Sequence, residues 1–278
     1  MLKVANANAL VANLTVAGGK LNGNFYDHGS CLTITSGVVS NRIVRGGYIS
    51  NIGANSTHSI SAGVFLTGSS SLFTHSIVEG CNIARINAWG SLSFGAGATV
   101  MGSGRIENCL FRNINSTAGD VVTIMAGSIA NCTIVDCTVG SWVHDGSAAL
   151  TDKCYGLCLT NGTSSARNVV VANVRAAGDS SENRAVGASQ SKIESDFVNC
   201  ATDTETPLND SCIVGSKDDF FKNELYYPSK SSPLVNAGVE ISGFASGVDL
   251  AGNPRVLGGI IDIGCYECQD KGFVILVR

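Results

Sequence analysis

A six-residue phrase recurs along most of this 278-residue chain and constrains its fold more than any other feature. It runs apolar, any, Asn, any, any, apolar, as in Ile106-Glu-Asn108-Cys-Leu-Phe111 and Ile129-Ala-Asn131-Cys-Thr-Ile134. The third positions of seven copies, some of them weak, are residues 13, 41, 75, 108, 131, 168 and 195. Their steps of 28, 34, 33, 23, 37 and 27 residues predict a solenoid, because each unit buries its apolar face by stacking on its neighbours.

A short β-branched segment and a Gly/Ser turn precede most copies, as in Cys31-Leu-Thr-Ile-Thr35 and Val121-Val-Thr-Ile-Met125. No helical period of apolar residues lasts more than a turn, so we expect an all-β fold of parallel strands stacked in register. The positions two before and three after each Asn are apolar and should point inward. The Asn should occupy a corner, where it tolerates left-handed backbone and stacks into an amide ladder.

The position directly after the Asn of the phrase carries two unusual kinds of residue, cysteines and charged residues. Cys109 and Cys132 share one inward position, where they pack as small hydrophobes or form a disulfide between neighbouring units, among eleven Cys in all. Arg42 and Asp196 fall at the same position in other copies. Because a buried charge is costly, we expect either that the register slips at both or that the first half of the phrase is irregular there.

Composition excludes several functional classes. Charged residues are 14% of the chain and the net charge is −4, which argues against a nucleic-acid partner. No apolar stretch is long enough for a membrane-spanning helix, and the first residues lack the core of a signal peptide. This leaves two interpretations, a cytoplasmic protein or part of a longer secreted or surface protein, and we favour the second.

Candidate binding residues come from the lattice and from its loops. Arg45, Glu79 and Arg112 occupy one outward position in successive copies, which predicts either a carboxylate-binding strip or an exposed ion-pair ladder. Units longer than a minimal turn must carry loops, near residues 51–62, 84–96, 138–153 and 173–186. The third contains Trp142, His144 and Asp145, which we predict to contact sugar.

The lattice shows no catalytic constellation. Hydrolases need two carboxyl groups at a set separation, and lyases need a base beside a cation. Asp136 has no carboxylate at the matching site of neighbouring copies. We therefore expect no cofactor and no metal; calcium is possible through loop residues but is not indicated.

After residue 200 the repeat stops and three phrases follow: Ser232-Pro-Leu-Val-Asn-Ala-Gly238, Asp249-Leu-Ala-Gly-Asn-Pro-Arg255 and Asp262-Ile-Gly-Cys-Tyr-Glu267. In order and spacing they resemble the end of bacterial parallel β-helix proteins of the pectate-lyase-like superfamily, in particular the "choice-of-anchor Q" group. Asn236 and Cys265 depart from that pattern, which usually has Asp and Ala there. The resemblance implies a secreted or surface protein whose wider relatives cleave or bind acidic polysaccharides.

The polar residues of this segment are Asp249, Arg255, Asp262 and Glu267. We expect Arg255 to donate bidentate hydrogen bonds to one of the carboxylates, in a structural cap that closes the last turn of the solenoid.

The sequence thus predicts a single right-handed parallel β-helix of about seven coils over residues 1–205 and a C-terminal capping module over 206–278. The expected function is glycan binding or adhesion at the cell surface, with polysaccharide as partner and without catalysis. The alternatives are a polysaccharide lyase or glycoside hydrolase acting through loops on one face, and a passive structural segment.

Overall fold

Parallel strand pairing dominates the protein. The computed structural model describes residues 1–22, 28–50, 60–84, 94–143, 151–160, 163–188, 190–242 and 247–269. Within these ranges the chain is all-β except for two short helices, and almost every strand pairs in parallel with a strand one repeat away. The architecture is therefore a parallel β-solenoid, as the spacing of the Asn phrase predicts.

The elements follow one another in short segments. The first repeats contain β1 (Leu2–Ala12), β2 (Thr15–Ala17), β3 (Lys20–Asn22), β4 (His28–Gly29), β5 (Leu32–Ser40), β6 (Ile43–Arg45), β7 (Tyr48–Ser50), β8 (Ile60–Ser61), β9 (Val64–Leu66), β10 (Ser71–Thr74), β11 (Ile77–Glu79) and β12 (Asn82–Ile83). The middle contains β13 (Phe94–Val100), β14 (Arg105–Glu107), β15 (Leu110–Arg112), β16 (Asn115–Ser116), β17 (Asp120–Ile124), β18 (Gly127–Ala130), β19 (Thr133–Val139), β20 (Ser141–Val143) and β21 (Thr151–Lys153). The remainder contains β22 (Leu157–Leu159), β23 (Ser164–Arg167), β24 (Val170–Ala176), β25 (Asp179–Asn183), β26 (Val186–Gly187), α1 (Gln190–Asp196), β27 (Phe197–Val198), β28 (Ala201–Thr202), β29 (Ile213–Val214) and α2 (Lys217–Phe220).

Three parallel sheets form the sides of the solenoid. The largest contains β5 at its middle and extends through β9, β13, β17, β22 and β26 one way and through β10, β14, β18, β23 and β27 the other. The second sheet, which we call the outer-face sheet, has the order β2-β6-β11-β15-β19-β24-β28-β29. The third consists of β3, β7 and β12. Within the described ranges two pairs of strands are antiparallel, β20 with β21 and β24 with β25, and three isolated antiparallel bridges lie in the C-terminal part.

The predicted inside, outside and corner of the Asn phrase are confirmed. Ile106 pairs with Ile129 and Phe111 with Ile134, and all four side chains are fully buried. The corner residues are left-handed, with φ between 45° and 60° at Asn13, Asn41, His75, Asn108, Asn131 and Asn168. The amide ladder forms between two of them, where Asn168 Nδ2 donates to Asn131 Oδ1 at 2.9 Å.

The seventh copy of the phrase lies four residues later than predicted. Ser195 belongs to α1, whereas Asn199 has φ 48° and follows Phe197, which pairs with Ala166. The expected slip at Asp196 is therefore real. At Arg42 the same expectation is wrong, because Val44 stays in register with Val78 and the Arg42 side chain is 2% exposed.

A second column of left-handed residues lies five positions after the first. It comprises Gly18, Gly46, Gly80, Asn113, Asp136 and Asn173, with φ from 51° to 70°. These residue types adopt left-handed backbone at low cost, so each repeat bends there as well. We call this column the second corner.

The described residues after β29, 216–242 and 247–269, form what we call the C-terminal segment. It packs along the outer-face sheet, which corrects the expectation that it closes the last turn. Outward side chains of that sheet form one apolar cluster with residues of the segment: Leu110, Val135, Val170, Ala172 and Ala201 with Phe220, Phe221, Tyr226, Leu234, Ile263, Cys265 and Tyr266. Backbone groups also join the two parts, because Gly264 N donates to Asn168 O at 3.0 Å and Cys265 N to Thr133 Oγ1 at 3.1 Å. Both faces of this part of the sheet are consequently buried.

The four predicted cap residues are buried together, but the pairing differs from the prediction. Arg255 donates to the backbone carbonyls of Asp262 and Gly264, not to a carboxylate. The carboxylates instead accept backbone N–H groups: Asp249 from Asn253 at 2.8 Å and Glu267 from Leu257 at 3.1 Å. Tight turns expose many N–H groups, and these turns use the carboxylates as acceptors.

None of the helices in the described ranges is long and apolar enough to cross a membrane.

Candidate functional site

Outward side chains on both sides of the second corner form a polar strip, which we call the corner strip. On the outer-face sheet it contains Arg45, Glu79 and Arg112; on the neighbouring side it contains Lys20, Tyr48, Asn82, Asn115, Thr138 and Arg175. Strand alternation explains these positions, since residues between them point into the core. The strip follows the long direction of the solenoid.

The three charges singled out in the sequence lie side by side. Arg45 is in register with Glu79, and Glu79 with Arg112. Arg112 donates to Glu79 Oε2 through Nε and Nη2, both at 3.0 Å. Arg45 is exposed and forms no ion pair with the described residues. One guanidinium is thus neutralised, and the other is free to bind an external anion.

Glycines make the floor of the strip near Arg45. A depression of about 440 Å³ is lined by Arg45, Glu79 and Asn113 together with Ala17 and the corner glycines 18, 46 and 80. A Cβ at Gly18 would meet no atom within 4 Å, so a flat ligand can approach the backbone here. On the other side of the corner, Lys20 Nζ lies 5.6 Å from the centre of the Tyr48 ring.

A second depression, of about 470 Å³, lies farther along the same corner. Arg175, Asp203 and Lys217 are among its lining residues, together with Asn173, Thr204, Val214, Gly215, Ser216 and Asp218. Arg175 Nη2 binds Asp203 Oδ2 at 2.6 Å, and Lys217 Nζ binds Asp136 Oδ2 at 2.8 Å. The C-terminal segment therefore supplies one wall of this depression and the solenoid supplies the other.

Two half-buried carboxylates at this depression, Asp203 and Asp136, accept hydrogen bonds from protein donors. Asp203 accepts from Asn173 N at 2.9 Å and from Asn183 Nδ2 at 3.0 Å, besides Arg175. Asp136 accepts from Asn173 Nδ2 at 2.6 Å and from Tyr226 Oη at 2.8 Å, besides Lys217. Although burial opposes it, these hydrogen bonds lower the pKa of Asp136. Neither carboxylate is arranged to take a proton from a substrate.

The predicted sugar-contacting loop is only partly in view. Trp142 belongs to β20, where its backbone pairs with Asp152 in an antiparallel hairpin. An ion pair of 2.8 Å between Lys153 and Glu182 joins that hairpin to β25. His144 and Asp145 lie outside the described residues, so their predicted role stays a prediction.

A search for the Asn phrase alone does not find several residues of the corner strip. Tyr48 and Arg175 fall seven positions after a corner Asn, beyond the phrase itself. The sequence nevertheless carries a signal for them. A Gly, Asn or Asp recurs five positions after each first-corner residue and indicates a second bend followed by a further outward position. Over the described part of the chain no cluster of His, Cys, Asp and Glu could hold a metal ion.

No protein-family model, curated protein or solved structure matches this chain.

Proposed function

We propose that the protein is a single right-handed parallel β-helix of about seven coils, of the pectate-lyase-like kind, that binds acidic polysaccharide outside the cell along the corner strip. The in-register parallel pairing and the regular left-handed corners support the fold. The C-terminal phrases support the family and the secreted location.

The observation that carries the binding function is the corner strip itself. It combines a glycine floor, an unpaired guanidinium at Arg45, an aromatic ring at Tyr48 and amide side chains, in register along one edge. Repeats stack about 4.8 Å apart, so six corner residues span roughly 24 Å. A strip of that length suits a linear chain of several sugar rings. Charged hydrogen bonds from Arg45 suit a sugar carboxylate.

The geometry favours binding over catalysis. Lyases and hydrolases need a free carboxylate or another base next to the reacting atoms. Asp203 and Asp136 are saturated by protein donors, and Glu79 is held by Arg112. The arrangement can hold a polyanion by hydrogen bonds and charge.

Binding of polygalacturonate, alginate and uncharged dextran to the full chain tests the proposal. We expect an acidic polymer to bind, with affinity that falls as salt is added. Arg45→Ala should weaken binding about tenfold, as expected for one charged hydrogen bond. Arg167→Ala is the matched control, because Arg167 is exposed on β23, which belongs to another sheet.

Two results would contradict the proposal. One is the absence of binding to every acidic polymer of the panel; the other is an equal loss of affinity in both variants. Absorbance of unsaturated sugar products is followed in the same samples. Steady release of such products would identify a lyase instead of a binding protein.

A further inference from the structure

In each repeat the residue directly after the first corner points inward, and these residues form a column. Two cysteines lie next to each other at the end of this column. Cys200 precedes β28 and Cys212 precedes β29, and these strands pair in parallel with Ala201 opposite Ile213. Ile213 N donates to Cys200 O at 2.8 Å, which places the two cysteines next to each other. Parallel neighbours lie about 4.8 Å apart, within the range of about 4.4–6.8 Å between Cα atoms that a disulfide requires. Cys200 Sγ donates to Ala166 O at 3.6 Å and Cys212 Sγ to Phe197 O at 3.9 Å; because Ala166 pairs with Phe197, the two thiols point to the same side.

Cys109 and Cys132 form a comparable pair deeper in the same column. Cys109 N lies 3.3 Å from Cys132 Sγ, and both side chains are fully buried. Burial raises the pKa of Cys109 well above its usual value. By contrast, Cys212 is 8% exposed, and hydrogen bonding from the Cys200 thiol lowers the pKa of Cys212. The solenoid thus contains one fully buried cysteine pair and one pair whose second member, Cys212, reaches the edge of the interior.

A depression lies next to Ser211, the residue that precedes Cys212. It has a volume of about 510 Å³ and is lined by Glu194, Leu208, Asn209, Asp210 and Ser211. Ser211 Oγ lies 3.9 Å from Cys212 Sγ, so one residue of the lining contacts the thiol. Asp210 is exposed in this lining and favours a positively charged ligand over an anionic one.

We propose that Cys212 is a site of thiol–disulfide exchange with small disulfides, preferably cationic ones, and that Cys200 completes the exchange by closing a Cys200–Cys212 disulfide. The Cys212 thiolate attacks one sulfur of the small disulfide; an S–S bond to Cys212 forms, and one small thiol leaves. Cys200 then gives up its proton and attacks Cys212 Sγ, which releases the second small thiol. The cysteine pair loses two electrons and two protons, and one external disulfide becomes two thiols.

The closed bond would tie β29 to the body of the solenoid. β29 is the last strand of the outer-face sheet, and only two residues long. The cross-link closes a short loop and restricts the unfolded chain, so thermal unfolding should shift upward by roughly 5 °C or more. This inference is independent of polysaccharide binding.

Peptide mapping of the intact chain tests the proposal. A background with Cys158→Ser and Cys268→Ser removes the two half-buried thiols. The protein is incubated with cystamine at neutral pH, quenched with acid, unfolded and alkylated. We expect a peptide linked through Cys200 and Cys212, while Cys109 and Cys132 are recovered alkylated. Cys200→Ser should trap a mixed disulfide on Cys212, whereas Cys212→Ala should leave Cys200 unmodified.

Comparison of reagents tests the route of entry. At low salt cystamine should react several-fold faster than oxidised glutathione, which is anionic, and the ratio should fall as salt rises. The proposal is overturned if no Cys200–Cys212 link forms in the native chain, or if Cys109 and Cys132 link at the same rate. It is also overturned if oxidised glutathione reacts faster than cystamine. Mapping of the unmutated chain decides the first point even where a variant fails to fold.

Discussion

Arg42 is the residue whose chemistry fits its surroundings least. Arg42 is 2% exposed within the solenoid interior, and its Nε, Nη1 and Nη2 have no hydrogen-bond partner among the described residues. Burial lowers the pKa of this guanidinium. A buried charge without a partner costs several kcal/mol, and apolar replacements of similar size relieve that cost. We therefore expect Arg42→Met to raise the midpoint of thermal unfolding by several degrees.

Arg45 provides the control for this prediction, because it lies three positions away and is exposed. Arg45→Met should change the unfolding midpoint by less than about one degree, as exposed substitutions usually do. A loss of stability in Arg42→Met would show instead that the guanidinium has an acceptor inside the solenoid.

Glu267 makes the stability of the C-terminal segment depend on pH. Burial raises the pKa of its carboxyl to about 7, with Asp262 adding to the effect. A carboxyl whose pKa is higher in the folded state stabilises the fold fully below its unfolded pKa of about 4.3, and this contribution is lost as pH rises through the folded value. Unfolding followed from pH 4 to 8 should show declining stability from Glu267, and Glu267→Gln should flatten that decline.

Burial also raises the pKa of Asp120, to about 6, so part of the decline in the native chain belongs to that residue. The difference between the native chain and Glu267→Gln isolates Glu267. Glu240→Gln is the control, since Glu240 is exposed. Parallel curves for the native chain and Glu267→Gln would disprove the linkage.

The bend between two sheets depends on the backbone of the second corner. Gly80 has φ 62°, and a Cβ there would lie 3.9 Å from Gly46 N, so space is not the obstacle. An Ala at a left-handed position costs about 1–2 kcal/mol, whereas Asn tolerates it, as Asn113 does one repeat later. Gly80→Ala should lower the unfolding midpoint, and Gly80→Asn should lower it much less. Equal losses in the two variants would mean that the corner has no left-handed requirement.

At the scale of secondary structure, the sequence predicts most of the strands and turns. The Asn phrase indicates the first corner, the strands around it and their inward side chains, because a period of two and a left-handed corner are local properties. The prediction fails for the last copy because Ile193 and Ser195 of α1, followed by Val198, match the phrase four residues before the true corner at Asn199. Arg42 shows the opposite error: the lattice places it inside, and only the cost of a buried charge argues against that position.

At the scale of the whole molecule, the repeat pattern of the sequence does not predict where the C-terminal segment packs. Cys265 N meets Thr133 Oγ1 across 132 positions of sequence, and no repeat relates the two residues. One signal was nevertheless available. At the outward position of Arg45, Glu79 and Arg112 the next repeats carry Val135 and Ala172, which indicates that something covers this end of the sheet. The identity of the cover follows only from long-range packing.

Because of this packing, the C-terminal segment covers apolar surface of the solenoid and stabilises it. A chain ending at residue 215 would expose Leu110, Val135 and Val170, all fully buried in the intact protein. Apolar patches of this kind drive self-association. We expect the shortened chain to bind an apolar dye and to form oligomers in sedimentation experiments, whereas the full chain should do neither through this face.

A pair of substitutions turns this expectation into a two-sided test. Leu110→Lys with Val170→Lys should return the shortened chain to a monomer, because the charges face water there. The same pair should strongly destabilise the full chain, since it places two cations beneath Tyr226 and its neighbours. Thr15→Lys with Ala17→Lys is the matched control, because these outward residues of β2 lie on the same sheet but are exposed. A shortened chain that stays monomeric without the substitutions would show that the segment is an accessory attached to an already complete surface.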